Sequence, residues 1–179
     1  MKIDRNLAAA AAIDVQERLV PAMNQKEALV TNILILLKGL SVLNVPVYLT
    51  QQYTKGLGNT LPAVCEAAGT NEYLDKLKFS AYDVLKTVLK RPEEQPYVIL
   101  CGMEAHICVL QTALELKAHG YEPVLVTDCI SSRKQKDTDI AIARAKQEGI
   151  LLATYESVLF ELTEEAGTKA FKEVQKLIK

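Results

Sequence analysis

The sequence predicts an α/β fold of three layers, with a mainly parallel six-stranded sheet covered by helices on both faces. Short apolar runs of strand character alternate with amphipathic segments along the whole chain. The strongest runs are continuously apolar rather than alternating, as strands buried on both faces are. The 179 residues show no linker and no short repeat, so the alternation points to one domain over residues 1–179.

The elements follow in order. Asn6 to Asp14 is an apolar run that stops at an acid. Its alanines favour helix, but its length and polar stop favour a buried strand. Asn24, with Glu27 three residues on, starts a helix whose buried face includes Ile33, Leu36, Leu37 and Leu40. Val45 to Thr50 is the second strand, with Pro46 at its beginning. Gln51 to Thr70 is rich in loop residues. Its Lys55-Gly56-Leu57-Gly58-Asn59-Thr60 lacks the ending of a phosphate loop and reads as turn chemistry. Leu77 to Ser80 is expected as a short strand and Tyr82 to Lys90 as a helix. Tyr97 to Gly102 is the clearest strand. His106 to His119 is a helix closed by Gly120. Strands at Glu122 to Cys129 and Ile150 to Thr154 flank a helix at Thr138 to Gln147. Helices at Ser157 to Leu162 and Thr168 to Ile178 complete the chain.

Composition excludes several classes. The chain is 49% hydrophobic and 24% charged, as globular proteins are. A net charge of -1, no Trp and 6% aromatics give no phosphate-tracking stripe and few stacking platforms, so no nucleic-acid partner is expected. No apolar run is long enough for a membrane span, and the first residues do not form a secretory signal. Cys65, Cys101, Cys108 and Cys129 are irregularly spaced, which fits reduced thiols in a cytoplasmic protein. A zinc set of Cys101, His106, Cys108 and His119 would have to draw on a strand and on the far end of a helix, so no metal is expected.

Parallel sheets of this kind bind ligands at the carboxyl ends of their strands, where strand order reverses. Asp14 ends the first strand. It is either a turn former or a desolvated acid suited to accepting a proton, and the sequence favours neither. Cys108 lies six residues past Gly102, at a strand-to-helix turn. A helix start favours thiolate and can hold an oxyanion, whereas the plainer alternative is a small core residue. Lys78, between Leu77 and Phe79, stands out modestly among the lysines. His106 sits two residues from Cys108, off its helical face, and suits a pocket or an interface.

These residues carry a resemblance. Ile13-Asp14-Val15-Gln16, Lys78-Phe79-Ser80, Gly102 to Val109 (GMEAHICV) and Val126 to Arg133 (VTDCISSR) resemble the motifs of the isochorismatase-like cysteine hydrolases. The similarity runs through nearly the whole chain, in order. It implies a triad of Asp14, Lys78 and Cys108, adjacent first and fourth strands, and a cis peptide between Met103 and Glu104. The backbone N–H groups of Glu104 and Cys108 would then face the developing oxyanion. Gln16, Tyr53, Ser80 and His106 are expected to line a substrate pocket. Two departures matter. Gln51-Gln52-Tyr53 stands where nicotinamidases of this family have an Asp-x-His metal motif, so neither metal nor cofactor is implied. The cysteine sets the chain apart from isochorismatases proper, whose substrate is a vinyl ether. The expectation is a hydrolase of a small amide or related acyl compound, working through a Cys108 thioester in a homo-oligomer. The alternatives are a catalytically silent binding protein of the same fold and, third, a peroxide-reactive thiol.

Overall fold

The computed structural model describes residues 2–179. Its sheet is built from β1 (Ala8–Ile13), β2 (Val47–Gln52), β3 (Leu74–Lys76), β4 (Tyr97–Met103), β5 (Glu122–Ser131) and β6 (Leu151–Ala153). The six strands among the described residues lie in the order β3-β2-β1-β4-β5-β6, and every neighbouring pair is parallel. The first half of the chain winds outward from β1 in one direction, and the second half winds outward from β4 in the other. The reversal falls between β1 and β4, where Ile13 pairs with Gly102.

The period of two along a strand sorts β1 onto two cores. Ala8, Ala10 and Ala12 join the core made with α1 (Lys26–Val42), α3 (Pro62–Ala68), α7 (Tyr155–Thr163) and α8 (Lys169–Ile178). Ala11 and Ile13 join the other, made with α4 (Tyr82–Leu85), α5 (Leu110–Ala118) and α6 (Gln135–Gln147). A short helix, α2 (Thr54–Leu57), follows β2. The alanine run is therefore a central strand. Burial on both faces decides against the helical propensity of alanine. Among the described residues no helix is long and apolar enough to cross a membrane.

Several expectations shift. The third strand is Leu74–Lys76 rather than Leu77 to Ser80, because Leu74, Asp75 and Lys76 pair with Thr50, Gln51 and Gln52. After Lys76 the chain bends. The expected helix at Tyr82 to Lys90 is helical only through Leu85, then continues as turns. The helix expected from His106 divides into a wide π-type turn, Ala105–Val109, and α5 proper. Asn24 does not cap α1. Gln25 takes the cap position in a left-handed conformation, and the Asn24 amide donates to Gln135 Oε1 at 2.7 Å instead.

Candidate active site

Asp14 follows β1 with φ +52°, a left-handed conformation that Asp tolerates better than most residues. Its side chain is wholly buried. The Thr50 hydroxyl donates to Oδ1 at 2.7 Å, and the Lys76 ammonium donates to Oδ2 at 2.7 Å. Three adjacent strands therefore build the pair: β1 delivers the acid, β2 the threonine and β3 the lysine. Lys76 Nζ also donates to Gln52 Oε1 at 2.7 Å, to the Phe79 carbonyl at 2.9 Å and to the Lys78 carbonyl at 3.3 Å. Four oxygens thus surround the ammonium, the condition under which a buried ion pair is tolerated.

Lys78 is not in this site. Its side chain is 75% exposed and bonds Asp83 at 2.5 Å. Lys76 and Lys78 are two residues apart and would share a face of one strand. The strand ends at Lys76, however, and the bend turns the carbonyls of Lys78 and Phe79 inward while the Lys78 side chain swings out. The apolar neighbours Leu77 and Phe79, which favoured Lys78, are themselves exposed. The signal available in the sequence was Leu74-Asp75-Lys76, an apolar-acid-lysine alternation directly before the bend.

Cys108 sits in the turn Ala105–Val109, past the end of β4. The Glu104 carbonyl accepts from the N–H groups of Ile107 and Val109 at 3.0 and 3.3 Å and fixes this turn. The Cys108 carbonyl accepts the Thr112 hydroxyl at 2.6 Å, and that hydroxyl accepts the Ala81 N–H at 2.8 Å. The stretch from Leu77 to Ala81 is therefore tied to Lys76 at one end and to the Cys108 turn at the other. Cys108 is 6% exposed. Burial pushes its pKa up to about 12; the Asp14 carboxylate adds to the rise, and Lys76 opposes it. These causes oppose the thiolate that a helix start favours, and a carboxylate stands beside the thiol. Asp14→Asn removes a cause of that rise and leaves Lys76, so the thiol pKa should fall. Iodoacetamide should then label Cys108 faster in Asp14→Asn than in the unaltered protein at pH 8. Slower labelling would contradict the contact between Asp14 and the thiol.

The Met103–Glu104 peptide is cis. The Glu104 carboxylate accepts from the Arg133 backbone N–H and from its Nε, both at 3.1 Å, and so anchors the loop after β5. The four expected pocket residues divide. Gln16 is buried and occupied: its Nε2 donates to the Gly58 and Gln52 carbonyls at 2.7 and 3.1 Å, and its Oε1 accepts the Gln52 N–H at 2.8 Å. It fastens the chain after β1 to the loop after β2 rather than facing a ligand. Ser80 Oγ accepts the Tyr82 N–H at 3.2 Å, at the start of α4. Tyr53 is 52% exposed and lines a surface cavity with Asp75, which alternates with Lys76 and faces away from the ion pair. His106 Nδ1 lies 2.8 Å from Ser132 Oγ. Thr50, Gln52, Lys76 and Thr112 are the site residues that sequence reasoning missed. The residues weighed as a zinc set are divided: Cys101 and Cys108 belong to opposite faces of the sheet, and His119 stacks on Tyr82 at the end of α5.

A thiol at the β4 turn, facing a buried acid–lysine pair at the strand-order reversal, defines an α/β protein with a hydrolase fold. The chain belongs to the isochorismatase domain family, whose model matches residues 8–157. It is 40% identical over 166 residues to isochorismatase domain-containing protein 2 of Danio rerio, covering 92% of this chain and 83% of that one. The structure of MAR1 ribonuclease from Caenorhabditis elegans superposes with a TM-score of 0.89 at 33% identity, over 99% of this chain and 92% of that one. The YcaC protein of Escherichia coli, described as an octameric hydrolase of unknown specificity, shares the fold. Its TM-score is 0.89 at 22% identity, over 99% of this chain and 90% of that one.

Proposed function

We propose that this protein is a cysteine hydrolase of a small amide or related acyl compound, acting through a Cys108 thioester without metal or cofactor. The observation that carries this reading is the buried Asp14–Lys76 pair, 2.7 Å apart, against the buried Cys108 thiol. As sulfur attacks the carbonyl carbon, Asp14 takes the thiol proton. The backbone N–H groups of Glu104 and Cys108 receive the oxyanion. Collapse expels the amine, which takes the proton from Asp14 and leaves a thioester. Water then gives its proton to Asp14 and attacks the thioester carbon, releasing the carboxylic product, and sulfur regains a proton. Lys76 aims the Asp14 carboxylate and balances its charge. Cys108→Ala should abolish turnover of any amide found by screening while leaving the thermal midpoint within a few degrees. A mass increment of the acyl group on Cys108 should be trapped in the unaltered protein. Undiminished turnover in Cys108→Ala would sink the proposal.

The Caenorhabditis elegans relative supports a second reading, since it is described as a ribonuclease. The acyl reading is preferred because a buried thiol beside a carboxylate suits attack on carbon, and the net charge of -1 offers little to a phosphate backbone. Cleavage of RNA by this protein, lost in Cys108→Ala, would reverse that preference. A homo-oligomer is part of the proposal. Leu77 (74% exposed), Phe79 (55%) and Tyr53 (52%) are large apolar side chains at one edge of the sheet, the kind of surface another copy covers. Light scattering should give a multiple of 19.8 kDa, and a monomer would remove this part. A small substrate and a reducing, cytoplasmic setting suit the four free thiols.

A further inference from the structure

A half-open cavity of about 560 Å³ lies at the amino ends of β1, β2 and β4, the end of the strands away from Asp14 and Cys108. Val42, Pro46, Tyr48 and Val88 give it an apolar wall, and Arg5 and Lys90 stand on its rim. Among the described residues neither cation has a salt-bridge partner. Glu94, close enough to feel Lys90, is held by Arg91 at 2.8 Å. Asn6 and Asn44 line the cavity with side-chain amides that make no hydrogen bond among the described residues. Gln95, 5% exposed, spends one amide N–H on the Ala8 carbonyl at 3.2 Å and keeps the other. The carboxyl end of α1 also reaches this cavity, but a helix end carries only about half a negative charge. Two full cations outweigh it.

We propose that this cavity binds a small organic anion, with its oxyanion head at Arg5 and Lys90 and an apolar body against Val42, Pro46 and Tyr48. Its volume falls within the usual range for small-ligand sites, and its lining joins a short apolar wall to several polar side chains. The site is separate from the proposed hydrolytic centre, because β1 and β4 run their full lengths between the two. Its occupant therefore binds apart from Cys108.

Calorimetric titration with 1-naphthoate tests this, with acetate as the head alone and 1-naphthalenemethanol as the neutral analogue. The naphthoate should bind more tightly than either control. Raising the salt should weaken it. Arg5→Gln/Lys90→Gln should lower its affinity about tenfold, each exposed cation contributing a few-fold. Cys108→Ala should leave the affinity unchanged, which keeps this test independent of the hydrolytic proposal. Equal affinity for the alcohol, indifference to the double substitution, or loss of binding in Cys108→Ala would each overturn the assignment. Absence of measurable binding would do the same.

Discussion

Replacing Lys76 by methionine should destabilise the protein by about 3–5 kcal/mol, the usual cost of breaking a buried ion pair from one side. The physical cause is Asp14. Its side chain is wholly buried, and Lys76 supplies the charge on Oδ2. Without that ammonium, Thr50 remains as the side-chain donor to the carboxylate. Gln52 Oε1 and the Phe79 carbonyl lose their donor in the same step. Turnover should fall with stability, because the carboxylate loses the group that aims it. Lys78→Met should leave the urea midpoint nearly unchanged, since its partner Asp83 is a surface acid that also holds Lys86. Urea denaturation of both variants separates the two lysines. Lys76→Met/Asp14→Asn should recover part of the loss, because it removes the stranded charge. If Lys78→Met proves the costlier change, Lys78 rather than Lys76 pairs with Asp14.

Gly102→Ala should prevent folding, with a cost above about 4 kcal/mol. Gly102 has φ +115°, outside the regions open to other residues. A Cβ there would lie 2.0 Å from the Ile13 carbonyl oxygen and 2.7 Å from the Ile13 nitrogen. Both are backbone atoms of the paired strand, so neither can rotate away as a flexible side chain could. The contact sits at the strand-order reversal, where β1 must come close to β4 for Asp14 to meet Cys108. Gly167→Ala is the control. Gly167 also has a positive φ, +89°, but nothing lies within 4 Å of its Cβ position. It should cost only the conformational strain, about 1–2 kcal/mol. Soluble yield and thermal midpoint compare the two. A folded, stable Gly102→Ala would show that this approach is looser than described.

Hydrophobic periodicity is a local property, so the layers of the fold can be read from the residues in order. Tyr97 to Gly102 and the helix ending at Gly120 are legible without any tertiary information, and so is the alanine strand once its polar stop is weighed. Cys108 was legible as a residue at a strand-to-helix turn for the same reason. The lysine was not. Lys76 and Lys78 carry the same chemistry two residues apart, and their surroundings differ only through pairing with β2 and the bend after β3. Where a strand stops is set by its neighbour in the sheet, which no local pattern records. The state of the thiol was likewise decided by tertiary structure. A helix start argues for thiolate, but burial and the Asp14 carboxylate, brought from 94 residues away, push the thiol pKa up. Distant strands set the charges around Cys108, and only their packing reveals which lysine faces it.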